Sequence, residues 1–241
     1  MDQLSTAQTA DSISIDFCVS PKRPRGRPRK TVDERDDGNR RQALLSAAAK
    51  LFRRKGFAAT STRDIAAAVG MHSGSPFYHF DSKGALLFAV MEAGMRAAIA
   101  EQAAVLAPYL QTHELSNKEL SIQYYRGILA ILMRNHLSIL LGKGGDFVPV
   151  MLYEFRSLNP HQQKQIKGVM GEYEAAWCPV LQALRDRGQL SCEVKIARLL
   201  IFGALNWTTQ WFDPQHTDAG KTTVTLDDIA TAAMALFLEK P

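Results

Sequence analysis

Six of the ten residues in PKRPRGRPRK, residues 21–30, are Lys or Arg. No folded core absorbs that density of charge. Its natural use is against phosphate, where each cation engaged releases a condensed counterion. Pro24 and Pro28 bias the segment towards extended backbone. Gly26 removes a side chain where backbone would touch a groove floor, so Arg25 and Arg27, with Pro28 behind them, can lie along a narrow A·T minor groove. A solvated basic linker, or an import signal, remains the competing reading. Elsewhere the chemistry-bearing residues are scattered. The three cysteines and six histidines show no metal-ligand spacing, and there is no P-loop, nucleophile elbow or paired acid and base. The sequence therefore calls for no metal, no cofactor and no enzymatic activity.

The elements that must position this charge are helical. The net charge is only +5 over 241 residues, so the basic character is local: three Asp and no Lys or Arg in residues 1–20, then the basic run, then acidic VDERDDG. Residues 1–38 are too polar to offset chain entropy and are expected to be disordered. From Asn39, Leu44, Ala47, Ala48, Leu51 and Phe52 recur at helical spacing up to the stop at Gly56. Ser61 and Asp64 form a capping-box pair at the next helix, which Gly70 ends. Ser73 opens a short third helix with Pro76 in its first turn, and Asp81 or Ser82 opens a fourth that ends before Pro108. Later helices are expected from Ser116 to Leu141, from Phe147 to Ser157, from Asn159-Pro160 to Arg187-Gly188, from Cys192 to Phe212 and from Leu226 to Glu239. Pro179 should kink the 160–187 helix opposite Ala175. No apolar run is long enough to span a bilayer, and the sparse, odd cysteine set suits a reducing compartment, so the expected location is cytoplasmic.

Two short helices joined by a Gly turn after a longer amphipathic one describe a helix-turn-helix. The run LFRRKGFAATSTRDIAAAVGMHSGSPFYHFDSKGALL resembles the DNA-binding head of the TetR/AcrR family of bacterial repressors. Three features carry the resemblance: the Phe-x-x-x-Gly-Phe end of helix one, Thr-Arg-x-Ile-Ala in helix two, and Tyr-His-Phe followed by Ser-Lys. Pro76 departs from the bulky aliphatic usual there. The resemblance implies an all-α, TetR-like fold with a basic arm (1–38), a DNA-binding head (39–89) and a helical ligand-binding and dimerisation domain (90–241). It also implies roles for the matching residues. Thr62 and Arg63 would bond phosphates. Ser73, Gly74 and Ser75 would face base edges. Phe77 and Tyr78 would lie against sugars, a thymine methyl or phosphate, and His79 and Lys83 would bind the backbone. The small residues at 73–75 and the positive end of the helix dipole suit that approach. The segment RGRP resembles the core of an AT-hook. About ten residues join it to helix one, a typical span of about 17 Å and a maximum near 35 Å, enough to reach a neighbouring minor groove.

The implied partners are a palindromic DNA operator, a second copy of the chain and a small-molecule effector. Ile166, Met170, Tyr173, Trp177, Val180 and Leu184 follow a heptad spacing, and Ile196, Leu200, Gly203, Trp207 and Trp211 share one side of the next helix. Both stripes are expected at a dimer interface, with packing inside one subunit as the alternative. Tyr124, Tyr125, Met133, Met151, Phe155, Trp177 and Trp207 are candidate effector contacts, with plain core as the alternative. FGALNWTTQWFDP is similar to the corresponding helix of repressors that respond to fatty-acyl or steroid-derived CoA thioesters, which points to an acyl-CoA effector. Arg126, Arg134 or Arg156 would then meet an anionic head group.

Overall fold

The computed structural model describes residues 37–71, 76–114, 121–142, 145–212 and 224–238. Every regular element among them is helical: α1 (Asp37–Lys55), α2 (Thr62–Ala68), α3 (Pro76–His79), α4 (Lys83–Glu114), α5 (Ile122–Leu141), α6 (Phe147–Glu154), α7 (Pro160–Glu174), α8 (Trp177–Asp186), α9 (Val194–Trp207) and α10 (Leu226–Phe237). The arm residues Arg25, Gly26, Arg27 and Pro28, and Ser73, Gly74 and Ser75, lie outside the described residues.

The local signals act as their chemistry requires. Gly56 and Gly70 take φ of 80° and 66°, which stop α1 and α2 in a conformation that side chains resist. The Ser61 hydroxyl accepts from the Asp64 N–H at 3.1 Å while the Asp64 carboxylate accepts from the Ser61 N–H at 2.8 Å. Those bonds hold the Asp64 carboxyl below its usual range, with Ser61 the main cause. Asn159 and Gln162 form the same reciprocal cap on α7, with Pro160 at its start. The expected 160–187 helix is broken at Ala175–Ala176, because Pro179 has no N–H for the carbonyl one turn back.

Two boundaries differ from expectation. α4 runs through Pro108 to Glu114, since one missing hydrogen bond does not outweigh the packing of the turns on either side. The α5 cap is Ser121, whose hydroxyl accepts from the Tyr124 N–H, and not Ser116. The expected division at 89–90 falls inside α4, and residues 37–241 form one compact unit.

α5 is the central helix, packed by α4, α8, α9 and α10. The heptad stripe of α7 packs chiefly on α4, and that of α8 on α5. Ile166, Tyr173, Trp177, Val180 and Leu184 are buried within the protomer, Trp177 at 0% exposure, and Met170 is half-buried against the same core. These six are therefore core residues and not a surface for a second copy. The stripe of α9 is different. Ile196, Leu200, Trp207 and Trp211 are exposed, with Leu199 beside them, and a Cβ at Gly203 would meet nothing in this chain.

Candidate nucleic-acid interface and effector cavity

The head is built on α1. Leu44, Ala48, Leu51 and Phe52 bury one face of it together with Ile65 of α2, Phe80 and Leu87. That leaves the start of α2 and Tyr78 of α3 outward. Arg63 is exposed and Thr62 half-buried in the first turn of α2. Tyr78 is 71% exposed, its ring edge-on to the half-buried His79. Phe77 belongs to α3, and its side chain lies outside the described ones. Phe80 is core, with Arg41 over its ring.

Lys83, expected at the DNA backbone, is bonded within the head. Its ammonium donates to the carbonyls of Phe57 (2.8 Å), Thr60 (2.9 Å) and Ala58 (3.4 Å), and sits 4.3 Å from the centre of the Phe57 ring. All three N–H donors of an ammonium are thereby used. Lys83 pins the start of α4 to the α1–α2 turn and so positions the helix-turn-helix. Replacing it by Met is expected to cost about 2 kcal/mol, because the carbonyls lose a cationic partner. The salt slope of DNA binding should stay the same. A phosphate contact would instead lower that slope by about 0.9 per head at unchanged melting temperature.

An apolar cavity of about 80 Å³ opens between α4, α5, α6, α7 and α9, walled by Met95, Ile139, Phe147, Met151, Met170 and Phe202. One end is polar. His136 Nε2 meets Asn206 Oδ1 at 3.0 Å, and its Nδ1 meets the Tyr173 hydroxyl at 2.9 Å. The amide oxygen is an acceptor, so Nε2 carries the hydrogen and Nδ1 accepts from Tyr173. Burial lowers the His136 pKa to about 4, against a smaller upward pull from the Asn206 bond, so the ring is neutral. Burial, with Glu101 as the lesser cause, drives the Tyr173 phenol well above its usual range. Behind them Trp177 donates to Gln102 Oε1 (2.9 Å), and Gln102 donates to the Tyr173 carbonyl.

Of the expected effector contacts only Met151 lines this cavity. Met133 and Trp177 are fully buried core, and Trp207 is 64% exposed on the outer face of α9. Tyr124 stacks on Tyr109, Tyr125 lies beneath Arg187, and Phe155 packs near Lys167. Arg126 and Arg134 bond Gln189 and Asp227, and neither they nor Arg156 line the cavity. Aromatic content alone did not distinguish core from cavity. His136 and Asn206 at the cavity wall were not singled out, and Tyr173 was expected in the dimer stripe. The available signal was a titratable ring at His136 inside the apolar run ILAILMRNHLSILL.

α6 belongs to both regions. Phe147, Val148, Met151 and Leu152 face the cavity. At its start Asp146 accepts from Arg53 of α1 at 2.7 Å, and at its end Glu154 accepts from the Phe57 N–H at 2.9 Å. Any shift of α6 therefore loads the end of α1 and the turn that Lys83 holds. Among the described residues no three His, Cys, Asp or Glu side chains are grouped to hold a metal ion, and no helix is long and apolar enough to cross a membrane.

Comparison with known proteins agrees with this geometry. Residues 44–90 match the family model of bacterial regulatory proteins of the tetR family, and residues 128–239 match the tetracyclin repressor-like C-terminal domain, together well over half of the chain. The HTH-type transcriptional repressor KstR2 of Rhodococcus jostii (strain RHA1) is 47% identical over 55 residues, 23% of this chain, and the match spans about a quarter (27%) of that relative's length. The crystal structure of superantigen PfiT is 35% identical over 86% of this chain and 100% of that one, with a TM-score of 0.64. The crystal structure of AibR in complex with isovaleryl coenzyme A and operator DNA shares the fold at 21% identity and a TM-score of 0.65, over 82% of this chain and 97% of that one. The chain belongs to the tetR family of bacterial regulatory proteins.

Proposed function

We propose that this protein is a dimeric, cytoplasmic, effector-responsive transcriptional repressor and not an enzyme. Residues 39–89 read a palindromic operator, and residues 90–241 bind an effector and a second copy. The carrying observation is α6, which lines the cavity on one face and grips α1 and the α1–α2 turn at both ends. An effector that binds better when α6 is displaced shifts the spacing of the two heads and lowers operator affinity by its differential affinity for the two states. Thr62, Arg63, Tyr78 and His79 are the described contacts to DNA, joined by Ser73, Gly74, Ser75 and Phe77. The second copy docks on the exposed face of α9 and α10. Arg25 and Arg27 of the basic arm add affinity, and A·T preference, in a neighbouring minor groove. The similarity of FGALNWTTQWFDP to acyl-CoA-responsive repressors supports a CoA thioester as effector and regulation of lipid or steroid catabolism.

Random-site selection followed by binding titrations tests this reading. The selected site should be a palindrome. Tyr78→Ala, at an exposed position, should weaken binding by about a hundredfold across the two heads of a dimer, at unchanged melting temperature. Removing residues 21–30 should flatten the salt dependence and keep the palindrome. Loss of all sequence preference on that removal would instead favour an architectural A·T-binding protein. Full operator binding by Tyr78→Ala would refute the assignment of the head.

A further inference from the structure

The head has few free cations beside α3. From Met71 to Ser82, the stretch that holds α3, the chain carries no Lys or Arg. Lys83, the next cation along, has its three N–H donors on the carbonyls of Phe57, Ala58 and Thr60. On α1, Arg53 is paired with Asp146, and Lys55 faces Asp64 at 3.6 Å. A surface that grips phosphates beside α3 therefore needs a cation from another element.

Arg41 stands at that place. It is exposed near the start of α1, and its guanidinium carbon lies over the Phe80 ring, 5.1 Å from the ring centre. Phe80 is anchored in the core at 7% exposure. It directly follows His79, the last residue of α3, and Tyr78 before that is 71% exposed. The ring thus fixes a cation next to the outward end of α3. A ring attracts the charge of a guanidinium and leaves its N–H fork available. Among the described residues nothing accepts a hydrogen bond from Arg41, and no carboxylate lies within 4 Å of it. Its side chain has already lost rotamer freedom to the ring, so a phosphate engages it with little further ordering. A residue that only covered Phe80 would need the length of its side chain and not the charge.

We propose that Arg41 contacts the operator backbone, donating its fork to a phosphate beside the groove that α3 enters, with Phe80 as the positioning residue beneath it. This rests on the reading of residues 39–89 as the operator-binding head. It adds a contact supplied by α1, so the helix that α6 grips through Arg53 itself touches the operator.

Fluorescence anisotropy with the full chain and its selected operator, over a range of salt concentrations, tests the contact. Arg41→Met keeps an apolar cover on Phe80 and removes the charge. It should lower the salt slope by about 0.9 per head, about 1.8 for the dimer, and weaken binding at about 0.1 M salt by about eightfold per head. Arg41→Lys should recover the slope but not the full affinity, because an ammonium keeps the charge and lacks the fork. In ethylation interference, one phosphate in each half-site should matter to the parent chain and not to Arg41→Met. Melting temperatures should stay within about 2 °C of the parent, as for other surface substitutions. If Arg41→Met melts far lower, Arg41→Gln against Arg41→Lys, both polar, decides on the same slope and the same phosphate. An unchanged slope, or no phosphate lost from the interference pattern, overturns the proposal and leaves Arg41 as a cover for Phe80. Parent and Arg41→Met binding alike refutes this contact only. A parent chain that selects no site, or full binding by Tyr78→Ala, refutes the head itself.

Discussion

Placing Asp at both Leu200 and Trp207 is expected to turn the dimer into a folded monomer and abolish operator binding at concentrations where the parent chain is saturated. Leu200 is 55% and Trp207 64% exposed, one on each side of Gly203, which leaves open space for a second helix to approach. Ile196, Leu199 and Trp211 extend the patch, and Leu236 of α10 adds to the exposed apolar surface. A contiguous patch of this kind on a water-soluble helix calls for a cover. In a two-fold interface each residue counts twice, and buried Trp anchors commonly carry about 2 kcal/mol or more each. Four carboxylates brought to the axis would then raise the dimer dissociation constant by more than about a thousandfold. Sedimentation equilibrium reads the mass, and fluorescence anisotropy reads operator binding. The melting temperature of the monomer should change little with these surface substitutions, apart from the stability lost with the dimer itself. A doubly substituted chain that stays dimeric would move the interface elsewhere. Asp at Val180 or Leu184 should instead unfold the protomer, because those side chains are already buried inside it.

The second large effect concerns acid. His136 is buried and neutral with its pKa lowered to about 4, chiefly by desolvation. Its unfolded value is near 6.5. A group whose folded pKa lies below its unfolded one stabilises the fold fully above the unfolded value, and that contribution is lost as the pH falls towards the folded one. Stability should therefore decline between about pH 6.5 and pH 4, by about 3 kcal/mol from this residue. Chemical denaturation at pH 7.5, 6, 5 and 4 measures it. His136→Gln should be less stable at pH 7.5, where the Tyr173 and Asn206 bonds are disturbed, yet show a shallower loss on acidification. A parallel decline in both proteins would assign the acid sensitivity to other groups.

The head was largely legible in the chain. Its features are local: a capping pair three residues apart, glycines at the two positions of positive φ, and apolar residues on one helical face. The motif singles out Lys83 but not its three carbonyl partners, which lie more than twenty residues away. Pro108 and Pro179 mark the same limit. Both remove an N–H, yet only the second coincides with a break, because the packing of the surrounding turns decides the outcome.

Local chemistry by itself determined the all-helical class and the helix ends marked by caps and glycines in the head, because caps, turns and side-chain periodicity act within one or two turns. Tertiary structure alone decided which apolar stripe was covered. The stripes of α7–α8 and of α9 have the same kind of spacing, and spacing says that a stripe needs a cover without saying what supplies it. In this fold α4 and α5 cover the first, and the second is left exposed on α9. The cavity is tertiary for the same reason: His136, Tyr173 and Asn206 come from three helices, and only the packing of α5, α7 and α9 brings their hydrogen bonds to one wall.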